Sequence, residues 1–380
     1  MKNVQSKHLE EYGKKPEFSV RVPGVIRFLG LFAEYSMGRS LCAADSRNLY
    51  LCVSKREDNQ VMVFNSRVND RKHFILSNLK FRKEDRWANY IKGVLAELIT
   101  EGYEVSGMDW TLGGDVLNGD SQVISCAVIV AACLAMEYVL NIRLEEHVLR
   151  RMVIKACMTF SGEIFNTSIL VTMLNAVHGR FVYYDNYKDS LELLENPFTE
   201  GSEYGLFNIN SGLPSPAMAD EINRKNTEIM NLVESLRRRP GIFPLSNLSE
   251  SVLRDHISDF GEDEKRICLY LLEEYRAAEF SSFSDTAFAK SMVKTQKAIR
   301  NRLELSFPEL DWLVKRASED PACLGATIAL NGGNGNVSLI LRNNAVDSFK
   351  AKLEEYEHIF GFKVRVSRFL PSAGAEAFRK

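Results

Sequence analysis

A chain of 380 residues, of which 45% are hydrophobic and 26% charged, is long enough for two domains or for one large domain with a deep core. Its 48 basic and 50 acidic residues leave a formal net charge of -2, which excludes an overall electrostatic attraction to nucleic acid or to a membrane surface. The seven cysteines contain no C-x-x-C pair and the six histidines no metal-ligand spacing. We therefore expect free thiols in a reducing cytoplasm and no metal site.

The sequence does not predict a membrane segment either. The amino-terminal residues lack the apolar run of a signal peptide. The longest apolar stretch, Cys126 to Met136, ends at Glu137 and is expected to be too short to cross a bilayer. These features predict a cytoplasmic protein without nucleic-acid or membrane partners.

Strands dominate the first hundred residues and helices the next eighty. Alternating hydrophobicity and turn residues predict strands at 17–22 and 25–31 around a turn at Pro23-Gly24, a hairpin of 48–55 with 60–64, and strands at 72–76, 103–112 and 180–185. Apolar residues at helical spacing predict a helix from Arg86 to Gly102, a buried helix at 125–140, and two further helices at 144–156 and 166–177.

A polar stretch from Lys188 to Gly205 carries Pro197 and Gly201 and is predicted to be the domain boundary. It divides the chain into domains of residues 1–200 and 201–380. The second half is predicted to contain a strand at 204–210, helices to about 317, strands at 326–330 and 337–341 around a glycine loop, a helix at 345–360 and a strand at 362–368.

Three glycine-containing loops have the composition of ligand sites: 22–41, 113–125 and 330–336. The second leads directly into the predicted buried helix, and a loop before a helix N-terminus can present backbone N–H groups to a phosphate. It matches neither G-x-G-x-x-G nor G-x-x-x-x-G-K-[ST], and the third loop can equally be a hairpin turn. Each loop taken alone is more often structural than functional.

The order of the motifs resembles the galactokinase branch of the GHMP small-molecule kinases over nearly the whole chain. The matching segments are Tyr12-Gly13 followed by Val22-Pro23-Gly24, Arg86-Trp87-Ala88-Asn89-Tyr90, Pro308-Glu309-Leu310-Asp311, and Asn331-Gly332-Gly333-Asn334-Gly335. The resemblance implies an α+β, two-domain GHMP-kinase-like fold in which sugar and ATP meet in an active-site cleft between the domains.

Apolar residues stand at the positions where that family has its reactive side chains. Val25 stands at the position of the family's transition-state arginine and Ile169 at that of its catalytic aspartate, so no catalytic residue is predicted. Leu31 and Phe32 replace a sugar-binding glutamate and histidine, and Ile222 replaces a sugar-contacting tyrosine. Phosphoryl transfer is catalysed mainly by positioning and electrostatic stabilisation, which apolar side chains cannot supply.

A few polar residues remain at positions that the resemblance assigns to ligands. Glu34 and Tyr35 are candidate substrate contacts. Gly119, Ser121 and Ser125 are candidate nucleotide contacts in the phosphate-loop equivalent.

The residue before that helix argues against a working phosphate loop. Asp120 stands where the family has a glycine. A carboxylate at this place can cap the helix N-terminus itself and repel a phosphate. The sequence therefore predicts degenerate ATP binding.

These replacements predict a galactokinase-like protein that has lost sugar phosphorylation and acts as a non-catalytic binding or regulatory protein. Its candidate partners are a sugar or other small molecule and a regulatory protein. The alternative is an active ATP-dependent kinase whose site is rebuilt from Arg27, Glu34 or Glu163, and only this alternative requires ATP and Mg²⁺. A third hypothesis is an apolar-ligand pocket lined by Phe28, Phe32, Phe165 and Ile169.

Overall fold

Helices and strands fall mostly in separate runs along the chain, as expected for an α+β protein. The computed structural model describes residues 1–116, 121–160, 166–214, 216–245, 248–305, 307–329 and 335–379, without the side chains of 121, 216–219 and 379. The chain forms two compact units from discontinuous segments. Unit 1 contains Met1–Val25, Ala44–Ala176 and Ser372–Lys380, and unit 2 contains Ile26–Ala43 and Val177–Pro371. The single division at residue 200 stays a prediction.

Unit 1 is a sheet with helices packed around it. Its elements are α1 (Lys2–Tyr12), the first part of β1 (Phe18–Leu29), the second part of β2 (Arg39–Lys55), β3 (Gln60–Asn65), β4 (Asp70–Ile75), α3 (Ala88–Thr100), β5 (Met108–Gly114), α4 (Ser121–Leu140), α5 (Glu146–Phe160), α6 (Thr167–Asn175) and β12 (Glu376–Arg379). The strands lie in the order β12-β1-β2-β5-β3-β4. Helix α3 packs closely on α5 at Gly93, where a Cβ would lie 3.0 Å from the Ala156 Cβ.

The predicted hairpin of 48–55 with 60–64 is wrong, although both strands exist. Strand β5 lies between β2 and β3, antiparallel to the first and parallel to the second. The backbone N–H of Gly107 donates to the carbonyl of Asp58, and the N–H of Arg56 donates to the carbonyl of Gly107. These bonds bring the start of β5 to the connection between β2 and β3. Pairing with β5, about fifty residues further along the chain, therefore replaces the direct pairing of β2 with β3.

The predicted turn at Pro23-Gly24 is also absent, because β1 runs without interruption from Phe18 to Leu29. Glycine is favoured at position 24 because neighbouring chain segments lie close to it, and not because the chain turns there. A Cβ at Gly24 would lie 3.3 Å from the Val116 Cγ2 and 3.5 Å from the carbonyl oxygen of Arg47. A larger residue there would push against both neighbours.

Helix α4 forms the centre of unit 1. Its residues from Ala127 to Cys133 are fully buried, as the all-apolar sequence predicts. The helix extends beyond the apolar stretch Cys126–Met136. By length and composition alone it could cross a membrane, so the expectation that this stretch is too short is wrong. Most of it is buried inside the protein, and the core helix of a soluble protein passes the same length and composition test.

Unit 2 contains a second sheet and most of the remaining helices. Its elements are α2 (Ala33–Ser36), β6 (Arg180–Asp185), β7 (Ser190–Glu195), β8 (Tyr204–Asn210), α7 (Pro216–Arg237), α8 (Glu250–His256), α9 (Glu262–Ala277), α10 (Asp285–Ala298), α11 (Pro308–Ser318), β9 (Cys323–Ala329), β10 (Asn336–Arg342), α12 (Val346–Lys352), α13 (Glu354–Phe360) and β11 (Arg365–Arg368). The second sheet has the antiparallel order β11-β8-β10-β9. Strand β6 pairs with β7 and with Arg39–Cys42 of β2.

The polar stretch 188–205 contains strand β7, which pairs in register with β6, so its charged residues lie on an exposed strand. Its role as the domain boundary stays a prediction. One sequence expectation in unit 2 needs correction. The single helix expected at 345–360 is two helices, α12 and α13, separated at Leu353.

Candidate functional site

The segment from Gly30 to Gly38, in unit 2, keeps a tight backbone path after β1. Gly30 has φ +76°, and a Cβ there would lie 2.2 Å from the carbonyl oxygen of Arg39, so only glycine fits. The short helix α2 follows and ends at Met37, whose φ is 56°. The Gly38 N–H donates to the Ala33 carbonyl and closes the turn. The glycines therefore have a structural reason that is independent of any ligand.

The side chains at the start of α2 lie in the core of unit 2. Leu31 is 4% exposed and Phe32 is 3% exposed. Both belong to one apolar cluster that also contains Ile222 of α7. The Phe32 ring lies edge-on to the Tyr270 ring, with 5.9 Å between the ring centroids. The three positions at which an apolar residue replaces a sugar-contacting one are thus filled by side chains of a common core.

A buried polar cluster lies beside this apolar one. Arg27 donates from Nη1 to both carboxylate oxygens of Glu34 at 3.2 Å. Glu274 of α9 accepts the backbone N–H of Phe32 at 3.2 and 3.3 Å and the Tyr270 hydroxyl at 2.6 Å. We call these four side chains, Arg27, Glu34, Tyr270 and Glu274, the polar cluster.

Burial controls the protonation of Glu274. The side chain is 1% exposed, and this desolvation raises the pKa of its carboxyl group to about 7. The hydrogen bonds from Tyr270 and from the Phe32 N–H, together with the positive charge of Arg27, pull the pKa down, while the negative charge of Glu34 adds to the rise. Burial likewise raises the pKa of Tyr270, so its hydroxyl remains a donor.

The two candidate substrate contacts are partly used by the protein itself. The Glu34 side chain is 12% exposed and ion-paired with Arg27. The Tyr35 ring stacks on Phe32 at a centroid distance of 6.4 Å, and burial raises the pKa of its phenol. Their role as substrate contacts stays a prediction.

The two positions that the resemblance assigns to catalysis are deeply buried in unit 1. Val25 is 2% exposed on β1, and Ile169 is 1% exposed on α6. Asn166 caps α6 by accepting the Ile169 backbone N–H at 3.1 Å. Neither side chain offers a polar atom, so neither can take a proton or pair with a phosphate.

The candidate nucleotide contacts are only partly within the described chain. Gly119, the Ser121 side chain, Asp120 and most of the glycine loop at 330–336 lie outside the described residues, as do Glu163 and Phe165. The Ser125 side chain is described: it is 2% exposed, and its hydroxyl donates to the Gln122 carbonyl at 3.1 Å. Its role as a nucleotide contact stays a prediction.

The third hypothesis, a pocket for an apolar ligand, receives no support from the described aromatic residues. Phe28 packs with Phe181, Phe288 and Phe369 in one core cluster. Phe32 belongs to the other cluster. Both rings are needed to fill the core of unit 2.

Unit 1 carries a cavity of about 380 Å³ beside the first turn of α4. Aromatic rings and cations line it, namely Phe81, Lys83, Arg86, Trp87, Tyr90 and Phe160. We call it the aromatic pocket. The Trp87 Nε1–H donates to Asp70 at 3.1 Å, which fixes the indole in place. Flat apolar walls with cations at the edge suit a planar ligand that carries negative charge.

Among the described residues, no group of three or more His, Cys, Asp or Glu side chains could hold a metal ion. The feature that sequence reasoning missed is the pair Tyr270 and Glu274. Helical spacing places both on the apolar face of α9 with Ile267 and Leu271. The carboxylate of Glu274 on this apolar face was the sequence signal that could have revealed the pair.

Comparison with known proteins identifies the class to which this architecture belongs. A Lactococcus lactis galactokinase in complex with galactose superposes with a TM-score of 0.87 at 19% identity and covers 99% of both chains. The mevalonate kinase of Methanococcus jannaschii superposes with a TM-score of 0.61 at 15% identity, over 93% of this chain and 98% of the other. The fold is that of the GHMP small-molecule kinases.

Sequence similarity narrows that class to a family. A Treponema pallidum (strain Nichols) protein named "Putative galactokinase" is 30% identical over 386 residues, which cover 99% of this chain and 96% of the relative. A galactokinase of Roseiflexus sp. (strain RS-1) is 24% identical over 361 residues, or 93% of this chain and 91% of the relative. No protein-family model matches the chain. The chain belongs to the galactokinase family, which confirms the resemblance seen in its motifs.

Proposed function

We propose that this galactokinase-family protein has lost sugar phosphorylation and acts in the cytoplasm as a non-catalytic binding or regulatory protein. The observation that carries the proposal is the shared burial of Leu31, Phe32 and Ile222 in one core cluster. Polar sugar hydroxyls opposite these side chains would lose hydrogen bonds without replacement, which costs about 1–3 kcal/mol for each unsatisfied group. The three replacements lie in the same apolar cluster, so together they exchange polar sugar contacts for hydrophobic packing.

The catalytic positions support the same proposal. Removal of one positioned general base costs about 10²–10⁴ in rate, and removal of one charge-stabilising donor about 10²–10³. Val25 and Ile169 are buried apolar side chains at the corresponding positions. Either loss alone would lower turnover by about 10²-fold or more.

Arg27 and Glu34 do not offer an easy replacement for the missing groups. They bind each other at 3.2 Å, and the Arg27 side chain is only 4% exposed. A guanidinium that is already paired with a carboxylate has little remaining charge with which to stabilise a transferring phosphoryl group. A rebuilt kinase site would have to break this buried ion pair.

The aromatic pocket supports the binding part of the proposal. Its rings and its cations, Lys83 and Arg86, can hold a planar anionic molecule such as a nucleotide without any catalytic group. The galactose in the Lactococcus lactis galactokinase structure makes a sugar the other ligand to test. ATP with Mg²⁺ as a reacting pair belongs to the alternative, an active kinase.

Activity and binding are tested on the same preparation of the full chain. ADP release is measured with Mg-ATP and a panel of hexoses, with the Lactococcus lactis galactokinase as the active control. Calorimetry measures the binding of each sugar and of ATP separately. Binding of at least one of them without sugar-dependent ADP release is expected.

Two variants separate the proposal from a rebuilt kinase. Phosphorylation that disappears in Arg27→Gln or Glu34→Gln would overturn the proposal. The matched control is Arg39→Gln, which removes a neighbouring guanidinium that pairs with Asp185 at 3.0 Å. Absence of both turnover and binding would overturn the binding part alone.

A further inference from the structure

Unit 2 contains a surface groove of about 300 Å³ between α10, α11 and β9. Val293, Val314 and Ala326 form its apolar wall, and Lys297, Arg300 and Lys315 stand at its edge. The volume is at the lower end of the range for small-molecule sites. We call it the cationic groove.

The backbone changes form at this groove. Helix α10 ends at Ala298 and continues as a π-helical turn, Ile299–Leu303, which carries Arg300 and Asn301 into the groove lining. Such turns are rare and occur frequently at functional sites.

A buried amide lies at the base of the same groove. Gln296 is 8% exposed, and its Oε1 accepts the Ile328 N–H at 2.9 Å and the Thr327 hydroxyl at 3.4 Å. Because the oxygen is held by β9, the remaining hydrogen-bonding group of this side chain is its NH₂, which only donates. Donors are what an anion requires.

Two of the three cations of the groove, Lys297 and Arg300, have no carboxylate partner among the described residues. Among the described residues, no carboxylate lies within 4.0 Å of Lys297 or Arg300, and the Lys315 partner, Glu319, is 3.9 Å away. Of the lining residues that the structure describes, Asp311 is the one acid, against three cations. The excess of positive charge is local, since the whole chain has a net charge of -2.

A second charged groove in unit 2 differs in that its cations are paired with carboxylates. It lies between α7 and the start of α9, and its guanidinium groups are matched by neighbouring carboxylates. Arg224 pairs with Glu221 and Glu228, and Arg266 pairs with Asp263 and Glu304. Lys297 and Arg300 of the cationic groove have no such partner within the described part of the chain.

We propose that the cationic groove binds a small anionic ligand that joins a phosphate or carboxylate group to a short apolar part. Lys297 and Arg300 pair with the anion, the Gln296 amide donates a hydrogen bond, and the apolar part rests on Val293 and Val314. The site is independent of the loss of phosphorylation, so the two proposals can fail separately.

Phenyl phosphate is the probe, with inorganic phosphate for comparison, and calorimetry on the full chain measures both affinities. Tighter binding of phenyl phosphate than of phosphate is expected, because only the former covers the apolar wall. The double variant Lys297→Gln/Arg300→Gln is expected to weaken phenyl phosphate at least about tenfold. Both side chains are exposed, so the variant should fold normally.

Two control variants locate the site. Lys290→Gln removes an exposed charge on α10 outside the groove lining, and it is expected to leave the affinity unchanged. Lys83→Gln/Arg86→Gln removes the cations of the aromatic pocket. An equal loss in either control, or no binding of phenyl phosphate at all, would overturn the proposal.

Discussion

Glu274→Gln should abolish a pH dependence of stability that the wild-type protein shows between mildly acidic and mildly basic conditions. Burial raises the pKa of the Glu274 carboxyl group to about 7 in the folded protein, from its ordinary value of 4.5. The folded state therefore holds a proton that the unfolded chain has already released. Stability from this group is fully present below the unfolded pKa and is lost as pH rises through the folded one.

The size of the effect follows from the two pKa values. Between about pH 5.5 and about pH 8.0 the free energy of unfolding should fall by about 2 kcal/mol because of this one group. Glutamine is neutral at both pH values and can still accept the Phe32 N–H and contact the Tyr270 hydroxyl. The difference between wild type and variant should therefore shift by that amount.

Urea denaturation followed by circular dichroism at the two pH values measures the effect. Comparison with the variant at each pH cancels the contributions of all other titrating groups. Glu273→Gln is the matched control, since it makes the same substitution one residue away, on a partly exposed side chain that pairs with Arg302 at 2.9 Å. A Glu274→Gln difference that is constant over the pH range, or one that Glu273→Gln reproduces, would refute the reasoning.

Three further predictions concern buried groups and one glycine. Burial lowers the pKa of His8 to about 4, so the free energy of unfolding should fall by up to about 3 kcal/mol on acidification from about pH 6.5 to about pH 4, and urea denaturation of His8→Gln should lack this loss. Lys92→Met leaves Asp85 buried without its ion-pair partner and should cost about 3–5 kcal/mol in thermal denaturation, with partial recovery in the double variant that adds Asp85→Asn. Gly30→Ala should destabilise the protein more than Gly102→Ala, by at least about 1 kcal/mol. Both glycines have positive φ, but only at Gly30 would a Cβ meet backbone, at 2.2 Å. Equal losses of unfolding free energy in urea denaturation would contradict this.

Much of the fold was predictable because its signals are local. The all-apolar run of α4 predicted a buried helix, and the helical spacing from Arg86 onward predicted α3. The order of the four matching segments led to the family, which the sequence relatives confirm. The apolar residues Leu31 and Phe32 predicted packing in place of polar contacts, and both side chains are buried in the core.

The features that sequence reasoning missed depend on contacts between distant segments. The sequence of 48–64 predicts a hairpin, but β5 enters between its strands from about fifty residues further along the chain. The sequence places a turn at Pro23-Gly24, but β1 runs through both residues, and Gly24 lies close to residues of other segments. In both cases pairing across the sheet outweighs the local preference, because strand formation depends on neighbours more than helix formation does.

The sequence by itself determined which side chains the segment 22–41 carries, namely valine, leucine and phenylalanine beside a few charges. The tertiary structure alone decided what surrounds them: Glu274, which is 242 residues beyond Phe32, holds its backbone N–H. The polar cluster and the cationic groove exist because α9 and α10 bring their charges to positions that no local pattern encodes. A side chain's identity is local information, whereas its partners and its protonation depend on which distant segments exclude water around it.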